Sequence, residues 1–114
     1  MKKVTITAND GKRYTLMFNR KTAAVYNDMG YTAKDLRERP LVAVPVFIWC
    51  AFKAAHPSIK QSKTEEVWDE LSAKSKSSVM TALVDMYTDT YTSLMGDENG
   101  GDDEGNSAAV EFEE

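Results

Sequence analysis

Few side chains in this 114-residue chain are suited to chemistry. Its one histidine, His56, stands directly before Pro57. Acid–base catalysis needs an imidazole within reach of a second polar group and of the reacting atom. Nothing in the sequence supplies that second group, so His56 reads as a helix-end residue. Cys50, the one cysteine, lies in the most apolar stretch, where the thiolate that a nucleophile requires is disfavoured. A lone cysteine also forms no intramolecular disulfide, which fits a reducing compartment. Glu65-Glu66 and Asp69-Glu70 are paired carboxylates, but their setting is that of a solvated helix face. No cluster supplies the three or four ligands of a zinc site. Asp97, Asp102, Asp103 and Glu104 offer oxygen ligands without the twelve-residue calcium-loop pattern. Asn99-Gly100-Gly101-Asp102 has the glycines of a phosphate loop among acids that would repel phosphate. The reading is of no catalytic residue, no cofactor and no metal: a binding module rather than an enzyme.

Charge divides the chain. Residues 1–95 hold all 14 Lys and Arg with ten acids, a net of +4, while residues 96–114 hold eight acids and no base, a net of −8. Weakly interacting acidic segments with almost nothing to bury stay disordered, and 96–114 is predicted to do so. The basic body raises nucleic acid as a partner, but its charges are scattered and the acidic segment would compete with phosphates for them. No run approaches the roughly 18 apolar residues of a membrane-spanning helix. Met1 to Ile6 also lacks the continuous apolar core of a secretory signal, so the expectation is a cytosolic protein.

The elements that would position any site follow from periodicity. Val4 to Thr7 and Tyr14 to Phe18 alternate apolar and polar, with Gly11 between them in a turn, and predict a β-hairpin. Asn19 is placed to cap a helix ending near Met29 before Gly30, and Thr32 with Asp35 resembles a capping box that opens a second, closed at Arg39-Pro40. The run 41–55 predicts a hydrophobic helix, with Pro45 in its first turn and His56-Pro57 as its end. Ser62 with Glu65 predicts the start of a fourth helix carrying Val67, Trp68 and Leu71 on one face, and Ser72–Ser78 reads as a linker. A last helix, from about Ser78 to Met95, aligns Met80, Leu83, Val84, Tyr87, Tyr91, Leu94 and Met95. The predicted class is α+β: an N-terminal β-hairpin on about four to five helices, residues 1–95, then the acidic segment 96–114.

That body carries a surplus of apolar helix. Val44, Phe47, Ile48, Ala51, Phe52 and Ala55 suffice as the core stripe of the 41–55 helix. Val42, Val46, Trp49 and Cys50 then fall on its other sides, and Val79 and Met86 flank the stripe of the last helix. A helix apolar all round is normally buried all round. About 95 residues bury only something like 60–70% of their chain surface, which makes a complete sheath difficult. The six flanking residues are therefore the predicted partner-binding surface, suited to an amphipathic or hydrophobic segment or to a second copy of the chain.

The order of features resembles the tail assembly chaperones of long-tailed bacteriophages. A two-stranded unit (Val4 to Phe18) leads to a short helix ending in glycine (Lys21 to Gly30). A hydrophobic helix ending His56-Pro57 follows, then a capped helix with Glu65-Glu66-Val67 and a final amphipathic helix, so that the likeness covers residues 4–95. It implies a protein of the host bacterial cytoplasm, absent from the mature virion. Such a protein binds the tape measure protein, keeps it soluble and helps to recruit tail tube protein. Many genes of that family also yield an extended product by ribosomal frameshift. Two further classes remain open on the residues alone: a small non-enzymatic regulator of a host or viral protein, and a nucleic-acid binder restrained by its acidic segment.

Overall fold

The structure is a computed structural model that describes residues 3–95 and the backbone of 111–113. β1 (Lys3–Thr7) and β2 (Arg13–Leu16) form an antiparallel hairpin, and α1 (Arg20–Asp28), α2 (Ala33–Glu38), α3 (Pro40–Lys53), α4 (Gln61–Asp69) and α5 (Ala73–Met95) follow. β3 (Glu111–Glu113) then pairs antiparallel with β1, giving the sheet order β2-β1-β3. The α+β class with an N-terminal hairpin and five helices is the one predicted from sequence.

Gly11, at φ +89°, lets the hairpin turn close with Ala8 N–H donating to the Lys12 carbonyl at 2.8 Å. Period-2 alternation sends Val4, Ile6, Tyr14, Leu16 and Phe18 to one face, where all five are buried. Across that face runs α3. Phe47 lies at its centre, with ring centroids of Phe18, Tyr26 and Tyr87 at 4.6, 5.1 and 5.6 Å. Each such pair adds about 0.5–1.5 kcal/mol beyond its area. Two phenols in this cage are anchored: Tyr26 Oη donates to the Thr32 carbonyl at 2.9 Å, and Tyr87 Oη accepts from Asn27 Nδ2 at 2.8 Å. Burial pushes the Tyr26 phenol far above its usual range. It lifts Tyr87 to about 12, with the Asn27 hydrogen bond pulling the other way and Tyr91 adding to the rise.

The helix starts follow the cap chemistry in part. Asn19 and Thr22 form a reciprocal capping box, Asn19 Oδ1 accepting from Thr22 N–H at 2.9 Å and Thr22 Oγ1 from Asn19 N–H at 3.1 Å. At α2, Asp35 Oδ2 accepts from Thr32 N–H at 2.8 Å. That bond, with the Arg39 guanidinium, holds the Asp35 carboxyl below its usual range.

Several sequence expectations are corrected. α4 starts one residue before Ser62, with Lys60 at the N-cap position and no side-chain cap, so the Ser62–Glu65 pair does not open it. The supposed linker 72–78 is the first turn and more of α5, because Ser72 Oγ accepts from Ser75 N–H at 3.1 Å and caps it. On α5 the buried residues are Val79, Leu83, Met86 and Tyr87, so Val79 and Met86 belong to the core stripe instead of flanking it. Met80 and Val84 lie at its margin, and Tyr91, Leu94 and Met95 are exposed. On α3, Cys50 is buried while Ala55 is exposed and Val44 half-buried. Pro45 lies deeper in the helix than its first turn, since Pro40 takes the first position. The disorder expected over 96–114 lies outside the described residues at 96–110 and 114, while 111–113 form a strand.

Candidate docking groove

Three of the six predicted partner-binding residues are core. Cys50, Val79 and Met86 are 0%, 1% and 4% exposed, so none of them faces a partner. Burial also pushes the Cys50 thiol up to about 11, with Lys53 opposing the rise, so it is protonated near neutral pH. The other three share one side of α3 at i, i+4, i+7 spacing. Val42 is exposed, and Val46 and Trp49 are half-buried. Trp49 has a structural task as well: Nε1 donates to the Ile59 carbonyl at 3.0 Å, and Lys53 Nζ sits 4.9 Å above the ring. Lys53 Nζ also donates to the Pro57 carbonyl at 3.3 Å, so this pair pins the turn between α3 and α4.

His56 is placed by the same turn. Its Nε2 accepts from Thr15 N–H at 3.1 Å, and its ring packs edge-on against Tyr14 at 5.5 Å. With that lone pair occupied, the imidazole closes the edge of β2 and is not free to take a proton from a substrate. Among the described residues, no three His, Cys, Asp or Glu side chains are grouped to hold a metal ion, and no helix is long and apolar enough to cross a membrane.

What the sequence reading missed lies beside Val42. Leu41 is 91% exposed, the most exposed large apolar side chain among the described residues. It stands at the mouth of a groove of about 270 Å³ between α3 and α4. Pro40, Leu41, Val44, Pro45 and Ile48 form one wall, Thr64 and Trp68 the other, and Glu65 and Asp69 lie along the α4 side. The α4 wall is fixed from within, since Thr64 is fully buried and its Oγ1 donates to the Gln61 carbonyl at 2.7 Å. Pro45 has no N–H to donate to the Leu41 carbonyl one turn earlier, which leaves that acceptor outside the regular helical pattern at the groove mouth. Groove and Val42–Val46–Trp49 stripe occupy different sides of the helix, their centres roughly 135° apart in rotation, and meet where Pro45 and Trp49 stand about 40° apart. The sequence carries a signal for it: the spacing Leu41, Val44, Pro45, Ile48 is as regular as Val42, Val46, Trp49, and two prolines bracket Leu41.

A protein-family model described as a domain of unknown function, DUF5055, matches residues 1–112. The chain belongs to the DUF5055 family. The matched region takes in the hairpin, all five helices and most of β3, so groove and sheet both lie within the family's extent. No curated protein and no solved structure matches this DUF5055 chain.

Proposed function

We propose that this DUF5055 chain is a non-enzymatic docking protein whose groove between α3 and α4 takes an apolar segment of a partner, and that it works as a bacteriophage tail assembly chaperone. The observation that carries the docking reading is Leu41, left almost wholly in water at the mouth of an apolar groove. An exposed leucine alone is ordinary, but one continuous with a prepared cleft is a contact surface. The groove suits a short amphipathic helix that inserts one or two apolar anchors. Glu65 and Asp69 beside it favour a client with Lys or Arg flanking those anchors. The more specific role rests on the resemblance in element order. On that reading the client is the tape measure protein, tail tube protein is recruited to the same complex, and the work is done in the host cytoplasm.

The test is co-expression with the tape measure protein, followed by affinity measurement for Leu41→Asp. Burying a leucine is worth about 1.5–3 kcal/mol, so the variant should weaken binding by roughly 10- to 150-fold. Because Leu41 packs against little, melting should be unchanged to within about 0.5 kcal/mol. Wild-type affinity in Leu41→Asp would remove the groove from the mechanism. Failure of the wild-type chain to bind the tape measure protein would remove the chaperone role.

A further inference from the structure

A sheet of this size has two edges, and this one closes them by different means. On β2 and the residue after it, alternation turns the N–H groups of Arg13, Thr15 and Met17 away from β1, and the last two are taken by the body. Thr15 donates to His56 Nε2 at 3.1 Å, and Met17 to the Ala51 carbonyl at 3.1 Å. The end of α3 and the turn after it therefore cover the Thr15–Met17 part of that edge. The same geometry fixes the other edge. Since Thr15 points its backbone groups away from β1, the Thr5–Thr15 pair is a non-hydrogen-bonded one. Thr5 must then turn its own N–H and C=O to the outer side of β1, and so must Lys3 two residues earlier. On that side the body supplies no strand among the described residues. The partner is β3: Glu111 registers opposite Thr5, Phe112 opposite Val4 and Glu113 opposite Lys3.

We infer that the outer edge of β1 is a strand-docking site, and that its resident ligand is the chain's own acid–apolar–acid segment Glu111-Phe112-Glu113, held in cis. The register carries specificity as well as ladder bonds. The apolar residue of the segment takes the position opposite Val4, which is fully buried, and one of its acids stands opposite Lys3. Opposite charges across a pair of strands are favourable, and so are aromatic–β-branched pairs. Uncovered edge strands pair with other chains, and proteins cover them. On this account the last residues of the acidic segment protect an edge, which is a different service from adding charge for solubility. The inference is independent of the groove between α3 and α4.

The test uses the full-length chain with Phe112→Asp, which adds negative charge while placing a carboxylate opposite Val4, and with Glu111→Pro, which removes the N–H facing Thr5. Amide exchange is read by NMR at Thr5, with Ile6, bonded to β2, as the internal standard. In both variants Thr5 exchange should accelerate roughly tenfold or more while Ile6 is unchanged. A synthetic peptide of residues 108–114, added at millimolar concentration to Phe112→Asp, should restore Thr5 protection, and the same peptide with aspartate in place of its phenylalanine should not. Thr5 exchanging freely in the wild-type chain, or remaining protected in both variants, overturns the proposal. So does a peptide that restores nothing. Protection that appears only together with dimers in light scattering would reassign the ligand to a second copy and overturn the cis assignment.

Discussion

Trp49 tests whether the apolar side of α3 is fold or docking surface. Truncation to alanine removes three things that the structure places there. The hydrogen bond from Nε1 to the Ile59 carbonyl, 3.0 Å long, is worth about 1 kcal/mol. The Lys53 ammonium 4.9 Å over the ring adds about 0.5–1 kcal/mol at a partly exposed site. Loss of a half-buried indole from apolar contact costs at least another ~1–2 kcal/mol. Together Trp49→Ala should destabilise the body by about 3 kcal/mol. For a domain of this size that lowers the melting temperature by roughly 12–24 °C. Trp49→Phe keeps most of the ring and loses only the donor, so it should fall by about 1 kcal/mol, roughly 4–8 °C. The assay is thermal melting followed by circular dichroism at 222 nm, with chemical denaturation to supply the free energy. If Trp49→Ala melts within about three degrees of the wild type, the indole does not anchor the turn before α4 and the reasoning fails.

Two further predictions concern buried groups, Cys50 on α3 and Tyr87 on α5. Cys50 should resist thiol reagents at pH 8 in the native chain and react at once in denaturant, because its ionisation is pushed up to about 11; fast native labelling would mean the segment is open. Tyr87→Phe leaves Asn27 Nδ2 with the Tyr31 carbonyl, 2.8 Å away, as its remaining partner and should cost about 1 kcal/mol. The same burial sets an alkaline limit on the wild type. An unfolded tyrosine ionises near 10.0, whereas Tyr87 in the fold is raised to about 12, so its contribution is full below pH 10 and is lost as pH rises from there toward 12. Tyr87→Phe should soften that loss, which a series of melts between pH 9 and 12 would read.

The hairpin was legible in the sequence because its strands expose one face only, and alternation names that face without ambiguity. The Asn19 cap was legible for a similar reason, being a local bond between residues three apart. Reading failed where composition stood in for geometry. Ser72–Ser78 is rich in serine and lysine, yet Ser72 caps a helix, and its successors simply form the solvated first turns of α5. On α5 the apolar stripe is wide, and periodicity gave its existence but not its centre. The hairpin and Phe47 settle that centre on Val79, Leu83, Met86 and Tyr87, about 70° from where the sequence placed it. The strand at 111–113 could not be found from the run of acids around it, because its pairing is with residues at the far end of the chain. The site was half legible. Of the surplus apolar side chains that periodicity assigns to α3, Val42 is exposed and Cys50 is buried, while Leu41, the most exposed, is not among them, because which side stays open depends on α4.

The lengths of the two helices explain why that side stays open. α3 has 14 residues and α4 has 9, so at 1.5 Å per residue they span about 21 and 13 Å. α4 returns along α3 from its far end and brings Trp68 and Asp69 alongside Pro40 and Leu41, yet it does not have the length to close over that first turn. Meanwhile Phe47 and Ile48, less than two turns further on, are locked into the core. An exposed first turn is thus held by a rigid continuation of the same helix, and its shape is set before any partner arrives. Preorganisation of this kind saves the entropy that a mobile surface would lose on binding. It follows that loosening the aromatic cage around Phe47 should weaken docking in proportion to the loss of fold, whereas Leu41→Asp should weaken docking with the fold intact, and that contrast separates a built groove from an incidental one.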